Sequence, residues 1–117
     1  MFEKNMRIAY LCDFYIDLFD EHSQGILRAY YEDDLSLAEI ALGEKISRQG
    51  IRHIIKKCEE TLLFYEEKLG LAKRYAELNE AADTLGLIKK ELSSSSFADS
   101  DNILHRIDDV IATIQNK

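Results

Sequence analysis

The sequence predicts an all-α protein: a helix-turn-helix unit followed by a C-terminal helical extension. Three observations carry that prediction. The 117 residues contain no proline and only five glycines, so the two strongest helix breakers are almost absent. Apolar residues recur at the intervals of one helix face, and Ile51, Ile55, Cys58, Leu62, Tyr65 and Leu69 form the longest such series. No segment alternates apolar and polar residues with β-branched enrichment, so no strand candidate survives.

The elements follow in order. Leu11, Phe14, Tyr15, Leu18 and Phe19 predict an amphipathic helix from about Met6 to Phe19. "DEHS" ends it, and Ser23 is positioned to cap a short second helix carrying Ile26, Leu27, Tyr30 and Tyr31. After "EDDLS", Ser36 and Glu39 have the spacing of a capping box, in which hydroxyl and carboxylate each satisfy an orphan backbone N–H. That box opens the third helix, "LAEIAL". Gly43 to Ile46 predicts a turn, and Ser47 a cap for the long fourth helix. Gly70 interrupts. Leu71, Tyr75, Leu78, Ala82 and Leu85 then predict an antiparallel return helix to about Leu92. "SSSSFADSD" predicts a flexible turn or linker, and Ile103, Ile107, Val110 and Ile114 a last helix. The expected organisation is residues 1–70 as the helix-turn-helix part and 71–117 as an extension packed on it or on a second copy, in a chain of single-domain size.

Composition excludes several classes. No run of about 18 apolar residues exists to span a membrane. The N-terminal "MFEKNMRIAY" lacks the basic region and uninterrupted apolar stretch of a signal peptide, so the expected location is cytoplasmic. Cys12 and Cys58, far apart in sequence, are expected as reduced, buried thiols. His22, His53 and His105 form no H-x-x-x-H or H-E-x-x-H spacing. His53 and Cys58 fall about 140° apart around a helix, so they cannot share a metal. Asp33 and Asp34, just before a capping serine, have the pattern of a turn. With no Gly-rich phosphate loop and no nucleophile beside a base, the sequence predicts no catalytic residues, no metal and no cofactor.

Charge is where the sequence speaks to function. The formal net charge is −7, yet five of the fifteen Lys and Arg residues lie between Lys45 and Lys57 with no acid among them. The remaining ten cations stand against twenty-two acids, a balance of −12. Ala41 is a small residue where two helices of a helix-turn-helix must cross closely, and Ile46, Ile51 and Ile54 stand where its inner face needs apolar side chains. The outer face then carries Arg48, Gln49, Arg52, His53 and Lys56, with Lys57 close by. One basic face on an acidic body docks on phosphate while the rest is repelled, which orients the approach. Arg48, Gln49 and Arg52 have the donors that base edges require; lysines suit phosphates, and Ser47 at the helix N-terminus can donate to another. The alternative from charge alone is a solvated stripe balancing acids on a neighbouring helix.

"YLCDFYIDLF", "AYYEDDLSLAEIA" and "SRQGIRHIIKKCEETLLFYEEKL" together resemble the YlxM family of small bacterial helix-turn-helix proteins, over roughly residues 6 to 70. The resemblance implies a winged-helix-like or sigma-factor region 4-like bundle of three to four helices. It also implies a DNA-binding regulatory role and an association with the signal recognition particle pathway. The recognition-helix residues it implies are Ser47, Arg48, Gln49, Arg52, His53 and Lys56, which the charge pattern extends to Lys45 and Lys57. Three positions depart from the pattern: Glu44 and Lys45 stand where an aromatic and Asn or Gly are usual, and Gly50 replaces a usual alanine. The expected partner is DNA, with RNA or the particle's GTPase as alternatives. The last three helices close either an intramolecular bundle or a homodimer through the C-terminal helices, which would present two recognition helices to two half-sites.

Overall fold

The structure is a computed structural model that describes residues 4–93 and 100–115. Among the described residues there are six α-helices: α1 Met6–Tyr15, α2 Glu21–Tyr31, α3 Leu37–Glu44, α4 Arg48–Leu69, α5 Leu71–Ser93 and α6 Ser100–Gln115. No strand occurs among the described residues. The chain divides into two compact units, Met1–Leu71 and Ala72–Lys117.

In the first unit α4 is the central element, packed against α1, α2 and α3. Its buried face is the predicted series, with Ile51, Ile55, Cys58 and Leu62 all in the core. The series fades toward the C-terminus, where Tyr65 is half-buried and Leu69 exposed. Opposite it, α1 contributes Ile8, Leu11, Cys12 and Tyr15, and α2 contributes Ile26, Leu27 and Tyr30. Tyr15 is fully buried, and its hydroxyl still finds partners: it donates to Glu66 Oε1 at 2.5 Å and accepts from the Leu71 amide at 3.0 Å. A buried hydroxyl left unmatched would cost about 1–3 kcal/mol, so this pairing is what makes a tyrosine tolerable there.

Four local expectations are corrected. The first helix does not reach Phe19; α1 ends at Tyr15, a 3-10 turn follows over Ile16–Leu18, and Leu18 is exposed. Asp20, not Ser23, caps α2: its Oδ1 accepts from the Ser23 amide at 2.7 Å, and that bond holds its carboxyl below the usual range. The turn after α3 is narrower than Gly43–Ile46, because Gly43 lies inside the helix and Lys45 alone is left-handed. The predicted seam of α5 faces outward, with Leu78 and Leu85 exposed and Ala72, Ala81 and Ile88 buried instead.

In the second unit α5 and α6 form an antiparallel hairpin. Arg74, near the start of α5, donates to the carbonyls of Thr113, at 2.7 Å, and Ile114. Glu91, near its end, pairs with Arg106 at 2.7 Å. Ala81 and Ile88 of α5 and Ile103 and Val110 of α6 are the buried side chains between them. The serine-rich linker predicted at "SSSSFADSD" falls, over residues 94–99, outside the described residues.

The two cysteines are buried. Burial, reinforced by the Asp13 carboxylate, pushes the Cys12 thiol up to about 12, and burial raises Cys58 as well. Because the folded-state value lies above the ordinary one near 9, Cys12 stays protonated through pH 9, and the stability this protonation contributes is lost only as pH rises from there toward 12. Folded protein at pH 8 is therefore expected to resist thiol alkylation, and both cysteines to react at once in denaturant. Rapid labelling of Cys12 without denaturant would contradict its placement.

Candidate nucleic-acid interface

The candidate interface is built on the corner between α3 and α4. The Ser36 hydroxyl accepts from the Glu39 amide at 3.1 Å and Glu39 Oε1 accepts from the Ser36 amide at 3.0 Å, the reciprocal box read from the sequence. At the other end the Ala41 carbonyl accepts from both the Lys45 and the Ile46 amides. That pattern ends a helix in a left-handed residue and folds the next side chain back against it. Ile46 then packs on the cluster of Ile26, Tyr30, Ile40, Ala41, Ile51 and Ile55, with Ile54 beside it. Ala41, 8% exposed, is where the short α3 crosses α4. Ser47 caps α4, its Oγ accepting from the Gly50 amide at 3.0 Å, which leaves the hydroxyl proton available as a donor.

Two of the residues that depart from the family pattern, Lys45 and Gly50, sit in this corner, and the geometry treats them oppositely. Lys45 holds φ 58°, where a side chain with a Cβ pays a steric penalty of about 1 kcal/mol. Substituting Lys45→Asn or Lys45→Gly is expected to raise stability in urea by about 0.5–1 kcal/mol while weakening nucleic-acid affinity through the lost cation. A fall in stability would show that the lysine is not strained.

Gly50, by contrast, has a packing reason. A Cβ there would lie 2.6 Å from Ile46 Cγ2 and 3.2 Å from Ser47 Oγ. Gly50→Ala is expected to forfeit the gain of about 1 kcal/mol that helix propensity promises, and to recover it only when Ile46 is trimmed to alanine. A double-mutant cycle showing no coupling would refute the contact.

All eight sequence-predicted residues reach solvent: Lys45, Ser47, Arg48, Gln49, Arg52, His53, Lys56 and Lys57 are exposed. At about 100° per residue, positions 48, 49, 52, 53 and 56 fall on one arc of α4 that starts beside the buried line of Ile51, Ile55, Cys58 and Leu62 and runs round to the far side of the helix. Lys45 and Ser47 extend it across the turn. Lys57 lies at its edge, where it and His53 border a shallow groove with Leu18, Phe19 and Asp20. Among the described residues no carboxylate lies within ion-pair distance of Lys45, Arg48, Lys56 or Lys57.

The nearby acids are drawn elsewhere. Glu39 is engaged in the capping box, and the Ser36 amide holds its carboxyl below the usual range. Glu44, beside the turn, lies 3.0 Å from His22 Nε2. Glu59, the first acid of α4, accepts from the Tyr31 hydroxyl, whose own titration is pushed up first by burial and then by that carboxylate. The sequence gives no sign of the His22–Glu44 and Tyr31–Glu59 contacts, because each joins residues more than twenty positions apart.

The same is true of Lys4. Its ammonium donates to the carbonyls of Tyr30 and of Leu35, the latter at 2.9 Å. It also pairs with Asp34 at 3.0 Å and sits 4.2 Å from the centre of the Tyr30 ring. It thereby fastens the α2–α3 corner on which the interface is mounted, and no local pattern announces it.

Comparison with known proteins places this geometry in company. A family model described as "Putative helix-turn-helix protein, YlxM / p13 like" matches residues 2–103. A protein of that family from Listeria innocua is 40% identical over 99 residues, 85% of this chain and 87% of its own. Another from Clostridium novyi is 34% identical over 113 residues, 96% of each chain. The YlxM protein of Bacillus subtilis is 43% identical over 94 residues, 80% of this chain and 82% of its own.

Proposed function

The chain belongs to the YlxM/p13-like helix-turn-helix family, and on that premise we propose that it is a nucleic-acid-binding regulatory protein that reads duplex DNA with the outer face of α4. One observation carries this: five cations between Lys45 and Lys57 stand on an exposed arc, backed by Ile51 and Ile55, in a chain whose other residues sum to −12. An α-helix enters the major groove of B-DNA, whereas the deep, narrow groove of an RNA duplex excludes it. The N-terminal turns of α4 bring Arg48, Gln49 and Arg52 to base edges; Lys45, Lys56 and Lys57, with the Ser47 hydroxyl and the first amides of α4, take phosphates. α3 crosses the backbone, a position its acids permit because Glu39 and Glu44 are held by the cap and by His22.

The association with the signal recognition particle pathway rests on the family resemblance alone. It makes the particle's RNA or its GTPase the second reading, in which the same cations grip phosphates or acidic side chains by shape rather than sequence. A second copy of the chain would set two recognition helices side by side for two half-sites.

Crosslinking in native cells, followed by sequencing of what is recovered, separates these readings. Promoter fragments enriched over an Arg48→Ala/Arg52→Ala control support the regulator. Particle RNA or the GTPase recovered in their place supports the accessory factor. Recovery of nothing beyond the control contradicts both.

A further inference from the structure

The hairpin of the second unit is amphipathic in a direction its own packing does not use. Leu78, Leu85 and Leu92 of α5 are 40, 43 and 49% exposed, and Leu104, Ile111 and Ile114 of α6 are 59, 45 and 47% exposed. Their direction follows from helix geometry. On α5 they lie clockwise, seen from its N-terminus, of the line through Ala81 and Ile88 that faces α6. On α6 they lie clockwise, seen from its own N-terminus, of the line through Ile103 and Val110 that faces α5. Because the two helices run antiparallel, both flanks fall on the same side of the hairpin.

The opposite side is mainly polar, a cleft lined by Glu77, Glu80, Thr84, Arg106, Asp109 and Thr113 over a floor of Ala81 and Val110, and Leu87 is the one large exposed aliphatic side chain there among the described residues. One side of a two-helix layer is therefore a continuous apolar surface, and the other is not.

We propose that this face docks on the same face of a second copy, forming a four-helix layer. Area and charge both select that occupant. Six half-exposed aliphatic side chains leave about 500 Å², and with Ala82, Gly86 and the Lys89 stem the face approaches the roughly 800 Å² per partner of a standard interface. A patch of about 500 Å² is at the upper end of the largest apolar patch on a typical monomer, and such patches are often interaction sites.

An isologous contact also needs a surface complementary to itself. Of the cations in the α5 stripe, Lys89 is the one that is exposed and outside every ion pair among the described residues. The α6 half carries an acid at its rim, Asp108, equally exposed. The Glu91–Arg106 pair fixes the hairpin register so that positions 89 and 108 are level. A two-fold axis parallel to the helices lays α5 over α6 of the second copy at the same height, which brings Lys89 to the partner's Asp108. A lone lysine in such a stripe fixes register at some cost in stability. This surface shares no residue with the α4 face, so either can fail without the other.

Sedimentation equilibrium of the full chain at tens of micromolar should give twice the 13.5 kDa chain mass. Leu85→Glu with Ile111→Glu should return it to one chain mass with the far-ultraviolet helix signal retained. Lys89→Glu, a reversal of an exposed charge that leaves the apolar side chains in place, should weaken association several-fold, and Asp108→Lys in the same chain should restore it. Should the glutamate pair unfold the chain, the charge reversal and its rescue decide alone. A single-chain mass for the wild type across this range overturns the proposal. So does a dimer that neither the glutamate pair nor Lys89→Glu disturbs.

Discussion

Replacing Arg48 and Arg52 together by alanine should lower affinity for duplex DNA by about 30- to 1,000-fold, the loss of roughly 2–4 kcal/mol expected when two guanidinium contacts disappear. The same variant should unfold at an unchanged urea midpoint. Both side chains are exposed and neither is part of the core formed by Ile51, Ile55 and their partners. The pairing of a large binding loss with no stability loss is what distinguishes a contact surface from a packing surface. Lys56→Ala provides the internal comparison: a weaker, sequence-independent loss that lowers the salt slope by about 1. Unchanged affinity in the double arginine variant would move the contact to the lysines or to another face.

The second large effect belongs to the core. Ile51 has no exposure and sits where α4 meets α2 and α3. Ile51→Ala is expected to cost about 2–5 kcal/mol, the removed side chain's transfer energy plus that of a cavity the two short helices cannot close. Ile54→Ala, one turn of packing further out and only half-buried, should cost distinctly less. Chemical denaturation of both variants tests this. Equal costs would mean that the cluster is looser than its burial indicates. For Ile51→Ala, residual DNA binding should follow the folded fraction, since no contact with nucleic acid is removed.

The sequence made legible what is encoded locally. Ser36 and Glu39 read as a reciprocal cap because the motif is complete within four residues, and Ser47 reads as the start of α4 for the same reason. The exposed arc of α4 was legible because a helix converts the spacing of positions 48, 49, 52, 53 and 56 directly into one arc. Local competition defeated the assignment at Asp20 and Ser23, two capping residue types three positions apart, where only the backbone decides which accepts the bond.

Helical periodicity also identified an apolar stripe on α5 but not its destination. The hairpin uses the smaller Ala81 and Ile88 face, and a stripe of leucines has the same spacing whether it faces a neighbouring helix or another molecule. Lys45 was illegible in a different way, since nothing local marks a lysine as left-handed; the conformation is imposed by the double acceptance at Ala41 and by Ile46 seeking the core. Lys4 and the Tyr31–Glu59 contact lie beyond any local pattern because both join segments distant in sequence.

The claim on which the rest depends is that the Lys45–Lys57 face meets phosphate as an open cationic surface. Fluorescence anisotropy of a labelled DNA duplex, titrated with the protein over a series of salt concentrations, measures this most directly. Four to six phosphate contacts predict a slope of log affinity against log salt of roughly −4 to −5. A slope near zero, or no binding to duplex DNA or structured RNA at low salt, would contradict it.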